Sequence, residues 1–249
     1  VAADDHRGWC MMTRYVSAGR TVTGKVRKHN EDSILVRDEV GLWVVADGLG
    51  GHSAGDYASS MIVERLGALP RSGSALDFIE AIEDTLSQVN AELLQTAATR
   101  GVDLIGSTVV VLVHDGDYML CGWVGDSRVY CFEDGQLRQI TRDHVHGGDD
   151  DVTHFGAPAA PAQAGSGVLT RAVGAEEHLF VDWVVAGNRP GMGFVLCSDG
   201  INKEMSDAEL DDECRRHPQP QDLVASLFDL AMSRAGRDNI SAVVVRIQE

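Results

Sequence analysis

Three apolar, strand-like runs in this chain of 249 residues stop on an aspartate. Asp47 closes Trp43-Val44-Val45-Ala46, Asp126 follows Trp123-Val124-Gly125, and Asp199 follows Leu196-Cys197-Ser198. Two more aspartates lie in polar turns beside such runs: Asp32 in Asn30-Glu31-Asp32-Ser33 and Asp238 in Arg237-Asp238-Asn239. A strand that ends in Asp-Gly or Asp-Ser delivers its carboxylate to the rim of a sheet. Rims that converge would set these carboxylates against one another. A divalent cation relieves that repulsion, and an all-carboxylate site selects hard ions such as Mg2+ or Mn2+. The pattern points to a metal site gathered from the full length of the chain. Any one Asp-Gly after a strand is more often an ordinary turn, so the weight lies in the set.

The runs themselves predict strands over Ser33–Arg37, Leu42–Ala46, Ser107–His114, Tyr118–Val124, Val129–Glu133 and Gln136–Ile140. Further strands are expected over Leu179–Ala186, Gly193–Ser198 and Ile240–Ile247. The short turns Asp115-Gly116-Asp117 and Glu133-Asp134-Gly135 imply antiparallel hairpins. Apolar residues recurring at three and four predict helices over Ala54–Leu69 and Ala75–Ala98. Ser206-Asp207-Ala208-Glu209 reads as a capping box opening a helix to about Arg216, and another helix is expected over Gln221–Arg234. Hairpin strands separated by helix pairs suggest an α+β domain with sheet packed on sheet and helices outside, not alternating βαβ units. The stretch from His144 to Gly167 has no apolar period. Its Gly, Ala, Pro, Asp and His content predicts a flap-like loop, and its own acidic and histidine residues read as a solvated surface.

Bulk properties narrow the function. The net charge is −17, from 38 acidic and 21 basic residues, which disfavours nucleic acid and anionic membranes as partners. The five cysteines are odd in number and lack zinc-type spacing. Three lie in apolar runs, as free thiols do in a reducing compartment, so a cytoplasmic location is expected. No apolar stretch approaches the ~18 residues of a spanning helix. Residues 1–12 contain no signal-peptide core. They read as an arm or an expression remnant ahead of Met11 or Met12, with one domain over residues 13–249.

The ordered motifs carry a resemblance. They are Arg27 ahead of Glu31-Asp32, Asp47-Gly48-Leu49-Gly50-Gly51-His52, Gly106-Ser107-Thr108, Gly125-Asp126-Ser127-Arg128 and Thr141-Arg142-Asp143-His144. Leu169-Thr170-Arg171, Cys197-Ser198-Asp199-Gly200 and Arg237-Asp238-Asn239 complete the series. Together they resemble the bacterial metal-dependent (PPM, type 2C) Ser/Thr protein phosphatases, over about Arg20 to Ile247. The resemblance implies a four-layer αββα sandwich, two antiparallel sheets flanked by antiparallel helix pairs. It implies two Mn2+ or Mg2+ ions, with a third in bacterial relatives. Asp47 would bridge two ions, with the Gly48 carbonyl completing one shell. Asp199 and Asp238 would bind the first ion, Asp126 and Asp199 the third. Asp32, and Glu31 through water, would hold the metal-bound waters. Arg27 would grip the substrate phosphate, and Asn239 would orient the Asp238 turn.

Physical chemistry is compatible with those roles. Two ions ~3.5–4 Å apart can acidify a shared water. An arginine fork matches phosphate oxygens where a lysine cannot. Glycines after Asp47 let a backbone carbonyl reach an ion unobstructed. Arg128 and Arg171 are expected to brace the site by pairing with carboxylates or carbonyls, and Ser107 and Thr108 to pack the core. Eukaryotic relatives carry a histidine directly after the Asp-Gly pair, where this chain has Leu49. His52 is then either the general acid or a loop-stabilising residue.

The expected activity is hydrolysis of phosphoserine or phosphothreonine in proteins by direct attack of a metal-activated hydroxide. No Cys-x5-Arg phosphate cradle is present to suggest a phosphoenzyme. The expected partners are a bacterial Ser/Thr kinase and its substrates. The wording Gly41-Leu42-Trp43-Val44-Val45-Ala46-Asp47 resembles the branch associated with type VI secretion. Competing readings are an anti-sigma-antagonist phosphatase, a catalytically weak phosphoprotein-binding module, and an unrelated nucleotide hydrolase. The first would carry sensory domains, the second would lack the aspartates, and the third would show a nucleotide-binding Gly-rich loop.

Overall fold

The computed structural model describes residues 15–50, 54–146 and 168–248. In chain order the strands are β1 (Tyr15–Val22), β2 (Asp32–Arg37), β3 (Leu42–Leu49), β4 (Gly106–Ser107), β5 (Val109–Asp115) and β6 (Tyr118–Val124). They continue as β7 (Arg128–Glu133), β8 (Gln136–Gln139), β9 (Asp182–Gly187), β10 (Gly193–Cys197) and β11 (Ile240–Ile247). The helices are α1 (Ala54–Gly67), α2 (Ala75–Arg100), α3 (Asp199–Asn202), α4 (Asp207–Arg216) and α5 (Pro220–Ser233).

One sheet has the order β1-β11-β10-β7-β8 and the other β2-β3-β5-β6-β9, with β4 paired to the end of β3. Every pairing is antiparallel. The period-2 alternation of side chains along each strand then separates three apolar layers. On β3, Leu42, Val44 and Ala46 face α1 and α2 beside Ile62, Leu86 and Val111. The intervening Trp43 and Val45 face the other sheet and meet Val110, Phe194, Leu196 and Val243. On the far side, Val195, Cys197, Ala242 and Val244 pack on Leu210, Leu227 and Phe228 of α4 and α5. Both faces of both sheets are buried, which explains why the central strands read as continuous apolar runs. The arrangement is the αββα sandwich expected.

Local chemistry sets the element ends. Ser206 and Glu209 form the expected capping box of α4. Ser74 and Asp77 form a second one at α2 that the sequence reading did not single out. The Glu133-Asp134-Gly135 turn has positive φ at Asp134 (52°) and Gly135 (74°), the backbone twist that suits a two-residue hairpin. Two differences matter. The strand expected over Ser107–His114 is interrupted at Thr108, where the register with β3 continues but the Asp47 N–H donates to the Thr108 hydroxyl, at 3.3 Å, in place of its carbonyl. β1 was not anticipated: Tyr15-Val16-Ser17-Ala18-Gly19-Arg20-Thr21-Val22 is an edge strand whose weak apolar pattern reflects its half-covered position. It pairs along its whole length with β11, Tyr15 opposite Ile247 and Val22 opposite Ile240.

Residues 1–12 lie outside the described residues, as do residues 147–167 of the expected flap. The base of that flap is described. His146 N–H donates to the Val168 carbonyl and Thr170 N–H to the His144 carbonyl, each at 2.8 Å.

Candidate active site

Asp32 begins β2 and Asp47 lies near the end of β3, directly opposite one another in the ladder. Asp199 begins α3 immediately after β10, and Asp238 ends the turn into β11. Asp126 lies in the turn between β6 and β7. The sheets therefore deliver five aspartates to one end of the sandwich. Their proximity shows in their electrostatics. Burial, then the charges of Asp32, Asp199, Asp126 and Asp238, push the Asp47 carboxyl well above the usual range. Asp126 is pushed up to about 6 by burial and by Asp199 and Asp143, against the pull of Lys203.

Asp32 is held across the gap between sheets. Its Oδ2 accepts from Ser198 Oγ at 2.8 Å and Ser241 Oγ at 2.6 Å, both on the other sheet's side. Burial raises its carboxyl to about 6, although the two serines favour the charged form. Sequence reasoning missed both serines; Ser198 and Ser241 look like ordinary flanks of apolar strands.

The Asp47 backbone is equally fixed. Its carbonyl accepts from Ser107 Oγ at 2.9 Å, and its N–H donates to Thr108 Oγ1 at 3.3 Å. Thr108 Oγ1 also shares a hydrogen bond with Ser127 Oγ at 2.7 Å. Ser107 and Thr108 are thus polar braces of the Asp47 strand end as well as buried residues, which corrects the expectation of core packing alone. Gly48 N–H donates to the Glu31 carbonyl at 3.0 Å. A Cβ on Gly48 would lie 2.1 Å from the Gly55 carbonyl oxygen and 2.5 Å from that of Glu31. Glycine is required here by close backbone approach between the β3 end and the start of α1.

Asn239 ties the Asp238 turn to the segment carrying Glu31. Its Oδ1 accepts from Glu31 N–H at 2.8 Å, and its Nδ2 donates to the Thr23 and His29 carbonyls, each at 2.9 Å. Its own N–H donates to Asp238 Oδ1 at 3.0 Å. Arg27 forks onto Asp238, Nε to Oδ1 at 2.8 Å and Nη2 to Oδ2 at 3.0 Å. Lys203, which the sequence reading did not single out, reaches Asp238 Oδ2 at 3.1 Å and also pairs with Asp199. Burial opposes the Asp238 charge, but the Arg27 and Lys203 contacts outweigh it and hold that carboxyl below its usual range.

Arg128 and Arg171 are braces, as expected. Arg128 lies buried and pairs with Asp143, Nη2 to Oδ2 at 2.8 Å. Arg171 meets Asp182 Oδ2 at 3.0 Å. The same Asp182 oxygen accepts from His144 Nε2 at 2.8 Å, while His144 Nδ1 accepts from the Gly125 N–H at 2.9 Å. The turn bearing Asp126 is thereby fastened to the foot of the flap. Two surface clefts, one beside Phe180 and one beside Arg138, are lined by none of the five aspartates. His52 lies outside the described residues.

A divalent ion suits this donor set. Asp32 Oδ1 and Asp199 Oδ1 are buried without a hydrogen-bond partner, and such oxygens are costly unless something satisfies them. The donors are all oxygen, which suits Mg2+ and Mn2+. Among the described residues, no three acidic, histidine or cysteine side chains close around one point. Lys203 and Arg27 supply the positive charge that Asp199 and Asp238 face here.

An αββα sandwich that brings aspartates from both sheets to one rim, with buried oxygens of Asp32 and Asp199 left unpartnered, defines a carboxylate-centred class of protein. The protein phosphatase 2C family description matches residues 24–243. The serine/threonine phosphatase stp of Listeria innocua is 32% identical over 239 residues, covering 91% of this chain and 93% of that protein. The structure of PppA, described as a key regulatory component of the T6SS in Pseudomonas aeruginosa, superposes with a TM-score of 0.83. It is 41% identical and covers 94% of this chain and 97% of PppA. The catalytic domain of PstP in complex with two manganese ions shares the fold, with a TM-score of 0.80 at 24% identity, covering 94% and 99% of the two chains. The chain belongs to the protein phosphatase 2C family.

Proposed function

We propose that the rim of aspartates is the catalytic centre of a metal-dependent protein serine/threonine phosphatase. The observation that carries this reading is the meeting of Asp32, Asp47, Asp126, Asp199 and Asp238 at one end of the sandwich, with buried oxygens of Asp32 and Asp199 left unpartnered. Asp47, Asp199 and Asp238 would hold the first ion, Asp47 and the Gly48 carbonyl the second, and Asp126 with Asp199 a third. Bound divalent ions supply positive charge for the phosphoryl oxygens and lower the pKa of an attacking water. Asp32, fixed by Ser198 and Ser241, and Glu31 would hold and orient the metal-bound waters. Arg27, half exposed at the rim, would leave Asp238 and fork onto a phosphate dianion. His52 is retained as a candidate general acid.

The substrates proposed are phosphoserine and phosphothreonine proteins, among them a bacterial Ser/Thr kinase and its targets. PppA is described as a regulatory component of the T6SS, and its 41% identity supports a related role here. The four described thiols are unpaired and buried, which supports a reducing, cytoplasmic setting. No described helix is long and apolar enough to cross a membrane.

The deciding experiment is hydrolysis of a phosphothreonine peptide and of para-nitrophenyl phosphate with Mn2+, Mg2+ or EDTA, beside Asp199→Asn. Turnover that needs the ion and collapses in the variant is expected. A folded, metal-supplemented protein without turnover would overturn the reading in favour of phosphoprotein binding.

A further inference from the structure

Asp199 opens α3 and Lys203 follows four residues later, so one helical turn brings the ammonium back beside the carboxylate. The same Nζ reaches Asp238 Oδ2 at 3.1 Å. Asp199 and Asp238 belong to different strand ends, one after β10 and one before β11. Lys203 is therefore a cation strapped between two carboxylates that lie 39 positions apart in the chain.

The two carboxylates are occupied unequally. Asp238 Oδ1 receives Arg27 Nε and the Asn239 N–H, while its Oδ2 receives Arg27 Nη2 and Lys203 Nζ. Asp199 Oδ2 receives Lys203, whereas Asp199 Oδ1 is buried with no partner. Lys203 thus takes one oxygen from each carboxylate that the phosphatase reading assigns to the first ion. A lysine suits a contact that must open. Its ammonium is a compact point charge on a flexible stem, and 53% of this side chain is exposed. It can swing into water without leaving a buried hole.

We propose that Lys203 is a resident counter-ion of the centre. It holds Asp199 and Asp238 together before a divalent ion enters and must release them when the ion binds, so it sets how tightly the chain takes its first ion. The inference rests on the assignment of Asp199 and Asp238 as ligands. Two consequences have opposite sign. Without the ammonium, Asp199 faces Asp238 with Arg27, which forks onto Asp238 alone, as the remaining counter-charge. With the ion bound, a neutral residue at this position no longer competes for the oxygens or repels the dication.

The test uses the full chain stripped of metal, as wild type, Lys203→Met, Lys203→Gln and Lys203→Arg. Mn2+ binding is read by calorimetry and by the electron paramagnetic resonance of free Mn2+, and thermal unfolding is read with and without the ion. Lys203→Met and Lys203→Gln are expected to bind Mn2+ more tightly by about tenfold or more, given the strength of charge pairs at this range. Their metal-free forms should melt below wild type, and their Mn2+-induced rise in Tm should be larger. Lys203→Arg, which keeps the charge, should stay closer to wild type. Agreement between the Met and Gln variants separates charge from packing. Mn2+ affinity that is unchanged or weaker in both neutral variants, with wild type binding normally, overturns the counter-ion role alone. Absence of Mn2+ binding by every form, wild type included, overturns the ligand assignment as well.

Discussion

Asp32 and Asp47 stand directly opposite one another in the β2–β3 ladder, on neighbouring strands of one sheet. Like charges placed across a ladder oppose folding, and here Asp32 is buried and Asp47 half-buried. The fold tolerates the pair by holding Asp32 with two serine hydroxyls from the other sheet and by letting both carboxyls titrate high.

That tolerance has a pH signature. Asp32 and Asp126 move from 3.8 to about 6 on folding. Between about pH 4 and 6 the folded chain therefore holds more protons than the unfolded chain, and these groups stabilise it less as pH rises through that window. Metal-free protein should show a higher Tm at pH 5 than at pH 7. Saturating Mn2+ at pH 7 should restore the difference. His114 and His144, held below their usual range by burial, act in the opposite sense, so the contribution is isolated by comparison with Asp32→Asn and Asp126→Asn: a pH 5 to 7 profile unchanged in both variants would contradict the raised carboxyls.

Ser198 links two groups: its hydroxyl donates to Asp32 and accepts the Ser241 N–H at 3.1 Å. Ser198→Ala leaves a buried carboxylate oxygen and a backbone donor less satisfied, a loss of about 1–3 kcal/mol. Urea denaturation at pH 7 measures it. The loss should shrink at pH 5, where Asp32 is protonated.

Gly48→Ala places a methyl 2.1 Å from a backbone oxygen that cannot rotate away. The expected cost is about 3 kcal/mol or more, in the range of severe overpacking. Thermal unfolding of the purified variant would reveal it. A variant as stable as wild type would mean that the β3 end and α1 are less closely apposed.

The Arg128–Asp143 pair lies largely out of solvent and is two-pronged, with Nε also on Asp143 at 3.0 Å. Removing one partner should cost about 3–5 kcal/mol, because the other charge is left stranded. Arg128→Met should be the more damaging single change, and Arg128→Met with Asp143→Leu should recover part of the loss. A double-mutant cycle by denaturant unfolding checks the recovery.

Much of this was legible in the sequence where physics acts locally. Leu42–Asp47 announced a strand buried on both faces because it has no polar alternation, and the Ser206–Glu209 box announced the start of α4. The rim aspartates were legible because each ends an apolar run or sits in a short polar turn. What stayed hidden depends on distant partners. β1 is defined by pairing with β11 at the other end of the chain, and its own residues carry little apolar pattern. Ser198 and Ser241 acquire meaning only when the second sheet brings Asp32 to them. Lys203 looks like any surface lysine until Asp199 is seen to begin a helix, since only then does a four-residue spacing become a contact.

The apolar layer between the sheets has a consequence for the chemistry above it. Asp32 and Asp47 rise from one sheet, Asp199 and Asp238 from the other, and Trp43, Val45, Phe194 and Val243 fill the space between. The thickness of that filling acts as a gauge for the spacing of opposing carboxylates. Trimming Phe194 or Val243 would shift the opposing carboxylates only as far as the sheets relax into the space left, and would do so without touching any aspartate of the rim. Changes in metal preference can therefore arise from the middle of the molecule.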